Sequence, residues 1–381
     1  MNKALIITSV ASMVDQFFLP SMYLLQDIGY DVHVACNFEK GNTCSDERVE
    51  ELKQTLNIHN ITFYQVDFER NVFKFSQNSR AYNQLRRIIK TNDFHLIHCH
   101  SPIGGLLGRL AARKLRKKGT RVFYTAHGFH FFRGAPLKNW LLYYPVEKFF
   151  SRFTDVLITI NQEDYALAKK KMKAKRIEYI PGVGIDILKF QNIEIDRREK
   201  RQEIGVPEDA FLLLSVGELN DNKNYQIIIR ALAKLKNPKV HYAIAGVGDK
   251  RAWLLELAKM LEVSEQIHLL GYRNDIPQLN FISDAFCFPS YREGQGLGAI
   301  EAMACGLPLI TSNVHGINDY SVDGVTGYKS SPSDVDGFSN AIDKLVLDCS
   351  IRKKMGQENM KRAKQYSVNC IGVLMKKLYE N

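Results

Sequence analysis

Several features that would place this chain in a familiar class are missing from its sequence. Its cysteines form no C-x-x-C pair and are odd in number, a pattern typical of a reducing compartment and not of a disulfide-stapled secreted domain. The seven are Cys36, Cys44, Cys99, Cys287, Cys305, Cys349 and Cys370. Uncharged runs such as 302–318 are broken by Gly, Pro, Ser and Asn, so no transmembrane helix is predicted.

A metal motif is also missing. The only D-x-D, Asp334-Val335-Asp336, follows a proline at a predicted helix start and is interpreted as a helix cap. The run from Met1 to Val14 has the outline of a short signal peptide, but no small-x-small cleavage site precedes Asp15. We interpret that run as a first buried strand and expect a cytoplasmic protein.

The positive charge is confined to one half of the chain. Residues 1–185 contain 27 Lys and Arg against 16 Asp and Glu, a net charge of +11, whereas residues 186–381 contain 25 of each. A basic half suits an anionic membrane surface, an anionic acceptor or nucleic acid. Nucleic acid is the least favoured of these partners, because no binding motif accompanies the charge.

Apolar runs alternate with helical patterns in both halves, which predicts an α/β fold of two Rossmann-like, doubly wound domains. The 381 residues suffice for two cores of roughly 180 residues. The predicted strands are 4–7, 32–35, 96–98, 122–125 and 156–160, then 211–216, 241–245, 267–269, 285–288 and 309–310. The predicted domains are 1–182 and 183–362, and a last helix over 363–381, with an apolar stripe at Val368, Ile371, Leu374, Met375 and Leu378, is expected to return to the first domain.

The stretch from Tyr291 to Leu307, YREGQGLGAIEAMACGL, holds the most specific chemistry. Three glycines precede a helical run, so we predict a loop that becomes a helix near Gly296. The unpaired N–H groups and the dipole at such a helix start suit a phosphate or diphosphate. Glu293 on the loop and Glu301 in the helix would then accept hydrogen bonds from sugar hydroxyls. This pattern predicts a nucleotide-sugar site.

The same stretch, from Phe288 through E-x7-E to A-M-A-C-G-L-P-L-I, resembles the signature of glycosyltransferase family 4. The resemblance implies the GT-B fold, two Rossmann-like domains facing across a cleft, and a retaining, metal-independent transfer in which the departing phosphate deprotonates the acceptor. It also implies a UDP-sugar as donor substrate and no cofactor. The segment Ile180–Asp186, IPGVGID, is similar to the family's interdomain joint.

Further donor-side residues follow from the resemblance. The run Gly217–Asn224, GELNDNKN, resembles the family's G-R-L-x-x-x-K, so Lys223 is expected to contact the diphosphate, although Glu218 replaces the usual arginine. That departure is shared by EpsD-like exopolysaccharide and capsule glycosyltransferases. The expected donor-binding set is Gly217, Gly246, Tyr272, Arg273, Gly294, Gln295, Gly296, Leu297 and Glu301, with the uracil at Tyr272 and Arg273.

Five histidines lie between His95 and His130. A zinc cluster is one interpretation, but no carboxylate or thiol completes a tetrahedral set. His127, in YTAHGF, matches the family histidine that contacts the donor sugar, and together with Glu293 and Lys223 it forms the expected catalytic set. His100, Ser12 and Gln16 are the acceptor-side candidates; the family's glycine pair after the first strand is missing here.

Two segments of the basic half predict contact with a membrane. The segment 127–153 mixes nine aromatics (Phe, Tyr and Trp) with Arg and Lys, as at a bilayer interface. The helix predicted over 104–118 has an apolar face, and its basic residues, Arg109 and Arg116 among them, spread over the rest; a second basic cluster lies at 169–176.

The expected activity is transfer of a hexose or N-acetylhexosamine to a polyprenyl-diphosphate-linked saccharide in surface polysaccharide biosynthesis, by an enzyme peripheral to the inner face of the cell membrane. Two alternatives remain open at this point: a sugar-nucleotide 2-epimerase of GT-B fold, and a bilobed solute-binding protein. An epimerase would alter its sugar without an acceptor, whereas a transferase releases UDP by transfer or slow hydrolysis.

Overall fold

A computed structural model describes residues 1–69, 71 and 74–380. The chain forms two compact units, Met1–Gly184 with Val368–Asn381 (unit 1) and Ile185–Ser367 (unit 2). The predicted boundaries, 182/183 and 362/363, fall slightly before the observed ones. Residues 363–367 stay with unit 2 because Ala363 and Tyr366 are buried in its core.

The described residues of unit 1 form a parallel seven-stranded sheet in the order β3-β2-β1-β4-β5-β6-β7. The strands are Asn2–Val10 (β1), Tyr30–Asn37 (β2), Thr62–Gln65 (β3), Leu96–His100 (β4), Arg121–Ala126 (β5), Val156–Thr159 (β6) and Arg176–Tyr179 (β7). Side chains of β1 alternate between the two faces, so that Ala4 and Ile6 enter one core and Leu5 and Ile7 the other. The N-terminal run is therefore a central buried strand.

Helices cover both faces of this sheet. They are Ala11–Met13 (α1), Leu19–Asp27 (α2), Asp46–Ile58 (α3), Phe75–Thr91 (α4), Pro102–Arg116 (α5), Leu137–Ser151 (α6) and Gln162–Lys171 (α7), and a π-helical turn, Val14–Phe18, joins α1 to α2. The caps are local: Ser45, Ser101 and Asn161 each accept a backbone N–H from the first turn of the helix that follows.

Unit 2, all of which is described, repeats the scheme with a parallel sheet in the order β10-β9-β8-β11-β12-β13. Its strands are Phe211–Val216 (β8), Val240–Ala245 (β9), Ile267–Gly271 (β10), Ala285–Phe288 (β11), Leu309–Ser312 (β12) and Gly327–Ser330 (β13). Its helices are Arg197–Glu203 (α8), Gln226–Leu235 (α9), Arg251–Met260 (α10), Ile276–Ile282 (α11), Leu297–Ala304 (α12), Val335–Leu347 (α13) and Cys349–Ala363 (α14). Asp334 caps α13 by accepting the Gly337 N–H, as the D-x-D interpretation predicts.

The last helix, Val368–Glu380 (α15), packs with α2 in unit 1. Ile371, Met375 and Leu378 are buried there, as the predicted stripe requires. Leu374 is instead 36% exposed, and Tyr379, which the stripe omitted, is fully buried. The phenol is accommodated because its hydroxyl is 2.9 Å from Nδ1 of His98.

The basic face predicted for α5 is smaller than expected. Arg109 is fully buried: its guanidinium pairs with Glu147 at 3.0 Å and lies over the ring of Tyr124. Arg116 pairs with Asp155 at 3.0 Å. Arg113, Lys114, Lys117 and Lys118 do face solvent. None of the helices in the described residues combines the length and the hydropathy needed to cross a bilayer.

Candidate active site

Two loops at the carboxyl edge of the unit 2 sheet hold the predicted donor-side cluster. One follows β8 and contains Lys223; the other follows β11 and contains Glu293. Asparagines of the N-D-N-K-N run tie the loops together, because Asn222 Nδ2 donates to the Arg292 carbonyl at 2.9 Å and Asn224 Nδ2 to the Pro289 carbonyl at 3.0 Å. The asparagines thus fix the lysine against the second loop.

Lys223 and Glu293 form the central ion pair. Lys223 Nζ is 2.6 Å from Glu293 Oε1, and both side chains are largely buried. The ammonium also lies 5.0 Å from the ring centroid of Phe288. Partial desolvation strengthens such a pair and restricts both side chains. An ammonium held in this way still has two N–H donors for an anionic ligand.

The backbone around Glu293 is held from a third loop. Nδ1 of His315 is 2.6 Å from the Glu293 carbonyl oxygen, and the Gly316 N–H donates to the same oxygen at 3.1 Å. A Cβ on Gly316 would lie 2.1 Å from the Gly294 carbonyl oxygen, so only glycine permits this approach. His315 is a site residue that the sequence did not indicate.

The loop becomes a helix at the position that the glycines predicted. Gly296, with φ 92°, precedes α12, which begins at Leu297. A Cβ on Gly296 would lie 2.5 Å from the Phe288 ring and 2.6 Å from the Tyr320 hydroxyl. Gln295 is buried beside it. The first N–H groups of α12 therefore emerge from a tightly packed turn, as an anion site requires.

Glu301 lies in α12, where burial raises the pKa of its carboxyl to about 7. Burial, with the charge of Glu301 as a second cause, raises the pKa of Cys305, one turn later, to about 12. The carboxylate is thus costly to ionise in the free protein, and hydroxyl donors from a ligand would lower that cost.

The two other glycines of the donor set permit close approach of backbone to backbone. A Cβ on Gly246 would lie 1.9 Å from the Gly217 carbonyl oxygen, and the Gly246 N–H donates to the Gly271 carbonyl at 2.7 Å. Glu218, in place of the family arginine, is exposed and accepts a hydrogen bond from Asn220 Nδ2 at 3.0 Å. No second cation replaces that arginine at position 218.

The predicted base-binding pair has two different environments. The ring of Tyr272 is 74% exposed and available for stacking. The guanidinium of Arg273 is instead paired with Asp275 and with Glu203, the latter at 2.6 Å. The hydrogen bond from Arg273, with a second one from Lys200, holds the pKa of Asp275 well below its usual range. The ion pairs between α8 and this loop therefore occupy the side chain that the sequence assigned to uracil.

Two phenols near Glu293 were not predicted. The hydroxyls of Tyr225 and Tyr320 are buried without a hydrogen-bond partner among the described residues. Burial, and secondarily the charge of Glu293, raises the pKa of both groups. Unpaired buried hydroxyls are costly, which is the pattern of a site that a polar ligand completes. A single sequence offers no signal for them, because core tyrosines look the same.

In unit 1, β4 and β5 bring three histidines together. Nδ1 of His100 is 3.2 Å from Nε2 of His127, and the ring of His100 packs against Phe18 and His98 with centroids 4.0 and 4.1 Å away. His98 is hydrogen-bonded to Thr125 at 2.8 Å and to Tyr379. Burial lowers the pKa of His98 to about 3 and of His127 to about 4, and it lowers the pKa of His100 well below the usual value.

These imidazoles are neutral at physiological pH, so they interact with hydroxyl groups as hydrogen-bonding partners and not as cations. Nε2 of His100 is buried without a partner among the described residues. No group of three or more His, Cys, Asp or Glu in the described residues is arranged to hold a metal ion.

The other acceptor-side candidates have different positions. Ser12 is buried: its N–H donates to Asn42 Oδ1 at 3.1 Å and its hydroxyl accepts from the Thr43 N–H at 3.2 Å. Ser12 therefore holds the loop that follows β2. Gln16 is exposed in the π-helical turn, a local geometry that often marks functional sites.

Comparison with known proteins places these features in a family. The model for Glycosyltransferase Family 4 matches residues 24–187, and that for Glycosyl transferases group 1 matches residues 196–362. The chain is 37% identical over 355 residues to the "Putative glycosyltransferase EpsD" of Bacillus subtilis, covering 92% of this chain and 89% of the relative. The chain belongs to glycosyltransferase family 4.

Other relatives of this glycosyltransferase agree. A UDP-Gal:alpha-D-GlcNAc-diphosphoundecaprenol alpha-1,3-galactosyltransferase of Escherichia coli is 30% identical over 271 residues, 69% of each chain. The crystal structure of HepE from Anabaena in complex with UDP and glucose matches with a TM-score of 0.80 at 19% identity, covering all of both chains. The fold is thus GT-B, as predicted. These relatives give no support to the epimerase alternative.

Proposed function

We propose that this glycosyltransferase is a retaining, metal-independent enzyme that transfers a hexose or N-acetylhexosamine from a UDP-sugar to a polyprenyl-diphosphate-linked saccharide. The Lys223–Glu293 ion pair beside the start of α12 is the observation that carries this proposal. The E. coli relative, which by its name uses UDP-Gal and a diphosphoundecaprenol-linked acceptor, supports both substrate classes. EpsD, by its name a putative glycosyltransferase, supports the reaction type.

Each donor-side group has a distinct task in this scheme. Lys223 and the N–H groups at Gln295, Gly296 and Leu297 receive the diphosphate and stabilise the charge that develops as the glycosidic bond breaks. Glu293, held by Lys223 and His315, accepts hydrogen bonds from the donor hexose. Glu301 accepts those of the ribose. No metal or cofactor is assigned a step.

In this scheme the donor substrate, and not a side chain of the enzyme, activates the acceptor. The departing phosphate takes the proton of the attacking hydroxyl, and the new bond forms on the face that the phosphate leaves, with retention. His127, neutral and hydrogen-bonded to His100, contacts the donor sugar and can donate to a hydroxyl or accept from one.

A panel of UDP-hexoses and UDP-N-acetylhexosamines, screened for UDP release with a polyprenyl-diphosphate-linked saccharide present, tests the reaction. We expect acceptor-dependent UDP release with one donor and a product whose anomeric configuration matches that donor. An altered sugar nucleotide formed without acceptor, or an inverted product, would contradict the proposal.

We further propose that the enzyme is peripheral to the anionic inner face of the cell membrane. Arg113, Lys114, Lys117 and Lys118 remain exposed on and just after α5, and each basic residue near an anionic leaflet contributes about 1 kcal/mol. Binding to anionic vesicles should weaken as salt is raised. Glutamine at Lys114, Lys117 and Lys118 should reduce that binding and leave UDP binding unchanged; equal binding to zwitterionic vesicles would contradict the proposal.

A further inference from the structure

Unit 1 has an apolar groove among α4, α5 and α6, with a volume of about 520 Å³. Its lining is mostly carbon. The walls include Tyr82 of α4, Ile103, Leu106 and Leu110 of α5, and Leu142 and Val146 of α6. Leu142 is 55% and Val146 40% exposed, so this apolar surface is open to solvent. Apolar surface of this extent usually has a binding role.

The face of α6 beside the groove is apolar as well. Leu141, Leu142, Pro145, Val146 and Phe149 recur at helical spacing and are all exposed. A surface helix normally turns polar residues to solvent on this face. Leu142 and Val146 line the groove, whereas Leu141 and Phe149 do not belong to its lining.

The groove has two distinct ends. The helices α4, α5 and α6 each follow a parallel strand, so their first turns lie toward the carboxyl edge of the sheet. Ile103 is in the first turn of α5, three residues after His100. The later turns of α4 and α5 carry Arg86, Arg113 and Lys114, all exposed, and Arg152 directly follows α6. One end therefore lies near the acceptor-side histidines and the other is basic.

We propose that this groove binds the isoprenoid chain of the lipid-linked acceptor, which enters from the anionic membrane at the basic end and presents its diphosphate-sugar end near Ile103. The inference rests on the proposed function, since it names the place of the acceptor's lipid part. The diphosphoundecaprenol-linked acceptor in the E. coli relative's name indicates the chemistry of the occupant. A concave site walled by three helices fits a single chain, whereas a flat bilayer surface would engage the exposed stripe of α6 evenly.

Binding of radiolabelled geranylgeranyl diphosphate, measured by equilibrium dialysis below its micellar concentration, tests the groove directly. Unlabelled geranylgeranyl diphosphate should compete, and inorganic diphosphate, which has no chain, should not. Leu142→Asp and Val146→Asp each place a charge in the groove, and we expect each to lower the affinity at least tenfold. Both positions are exposed enough for the variants to fold.

Leu141→Asp is the matched control. Leu141 is on the same helix, is 68% exposed and lies outside the groove lining, so its variant should retain wild-type affinity for geranylgeranyl diphosphate. Equal losses in the Leu141 and Leu142 variants, or competition by inorganic diphosphate, would overturn the groove assignment in favour of a general membrane or anion contact. Failure of the wild-type protein to bind the probe would overturn it too.

UDP binding and UDP release, measured in the same samples, separate this inference from the proposed function. If the wild-type enzyme transfers sugar to a polyprenyl-linked acceptor and Leu142→Asp does so with unchanged KM, the groove assignment fails and the proposed function stands. If the groove variants lose probe binding while no preparation transfers sugar to that acceptor, the proposed function fails. We expect Leu142→Asp to raise the KM for the lipid-linked acceptor and to leave UDP binding unchanged.

Discussion

The candidate donor-side cluster of unit 2 and the histidine cluster of unit 1 have opposite electrostatics. In unit 2 the central side chains are charged and already paired, Lys223 with Glu293, beside the positive end of α12. In unit 1 the central side chains are imidazoles whose pKa burial has lowered, so that His98, His100 and His127 are neutral. The contrast suits the diphosphate of the donor at unit 2 and uncharged hydroxyl groups at the histidines of unit 1.

Loss of the unit 2 cation should have the largest effect. We expect Lys223→Met to lower kcat at least 100-fold, because a preorganised donor to a developing anion is removed and Glu293 loses its partner. The double variant with Glu293→Gln removes the unpaired carboxylate and should recover unit 2 stability but not kcat. A kcat of Lys223→Met within threefold of wild type would contradict the contrast between a charged unit 2 and a neutral unit 1. Stabilisation of the departing diphosphate would then not depend on this charge.

Loss of either carboxylate should cost less. Glu293→Gln and Glu301→Gln are each expected to reduce turnover at least tenfold with the fold intact, because a charged acceptor for sugar hydroxyls becomes a neutral one. Glu218→Gln is a matched control: Glu218 is exposed near the same cluster, and its variant should keep near-wild-type turnover. Wild-type turnover in both Glu293→Gln and Glu301→Gln would contradict the assignment of these residues to the donor site.

The pKa of Glu301, raised to about 7, gives unit 2 its own pH dependence. Since the folded-state pKa lies above the unfolded value of 4.5, the folded state holds more protons in this window, and stability falls as pH rises from about 4.5 to about 7. At pH 8, Glu301→Gln should therefore raise the free energy of unfolding, by about 1–3 kcal/mol, while weakening UDP binding. Urea titrations at pH 5 and pH 8 measure this; an equal change at both pH values would contradict it.

The histidines of unit 1 should respond in the opposite direction. Their folded-state pKa values lie below the ordinary 6.5, so the unfolded state binds more protons and stability falls as pH drops from about 6.5 toward 4. The expected slope approaches about 1.4 kcal/mol per pH unit for each buried histidine. His98→Gln should reduce this dependence of stability on pH, measured as amide hydrogen exchange in β4 and β5. Amides of β8 and β11 in unit 2 should show no such change.

The sequence predicted more of unit 2 than of unit 1, for physical reasons. Positions that have no room for a Cβ, such as Gly246 and Gly296, require glycine, and this requirement is visible in the sequence. Charged residues at strand ends are also visible there. The strands that the sequence missed, β3, β7 and β13, are four residues long and have few fully buried residues, so their apolar pattern is weak. The burial of Arg109 depends on Glu147 and Tyr124, which are distant in sequence, and helical periodicity alone placed it at the surface.

Removal of divalent metal should have the smallest effect. In the proposed scheme, Lys223 and the N–H groups at the start of α12 in unit 2 would supply the positive charge that a magnesium ion would otherwise bring to a departing diphosphate. The D-x-D at Asp334 is used as the cap of α13, with Asp334 Oδ1 bound to the Gly337 N–H. We therefore expect activity to be unchanged by EDTA and by added Mg²⁺ or Mn²⁺, and Asp336→Asn to behave as wild type. If activity were lost with EDTA and restored by either ion, the fixed charges of unit 2 would not suffice to stabilise the departing diphosphate. A metal ion would then have to be added to the charged site of unit 2.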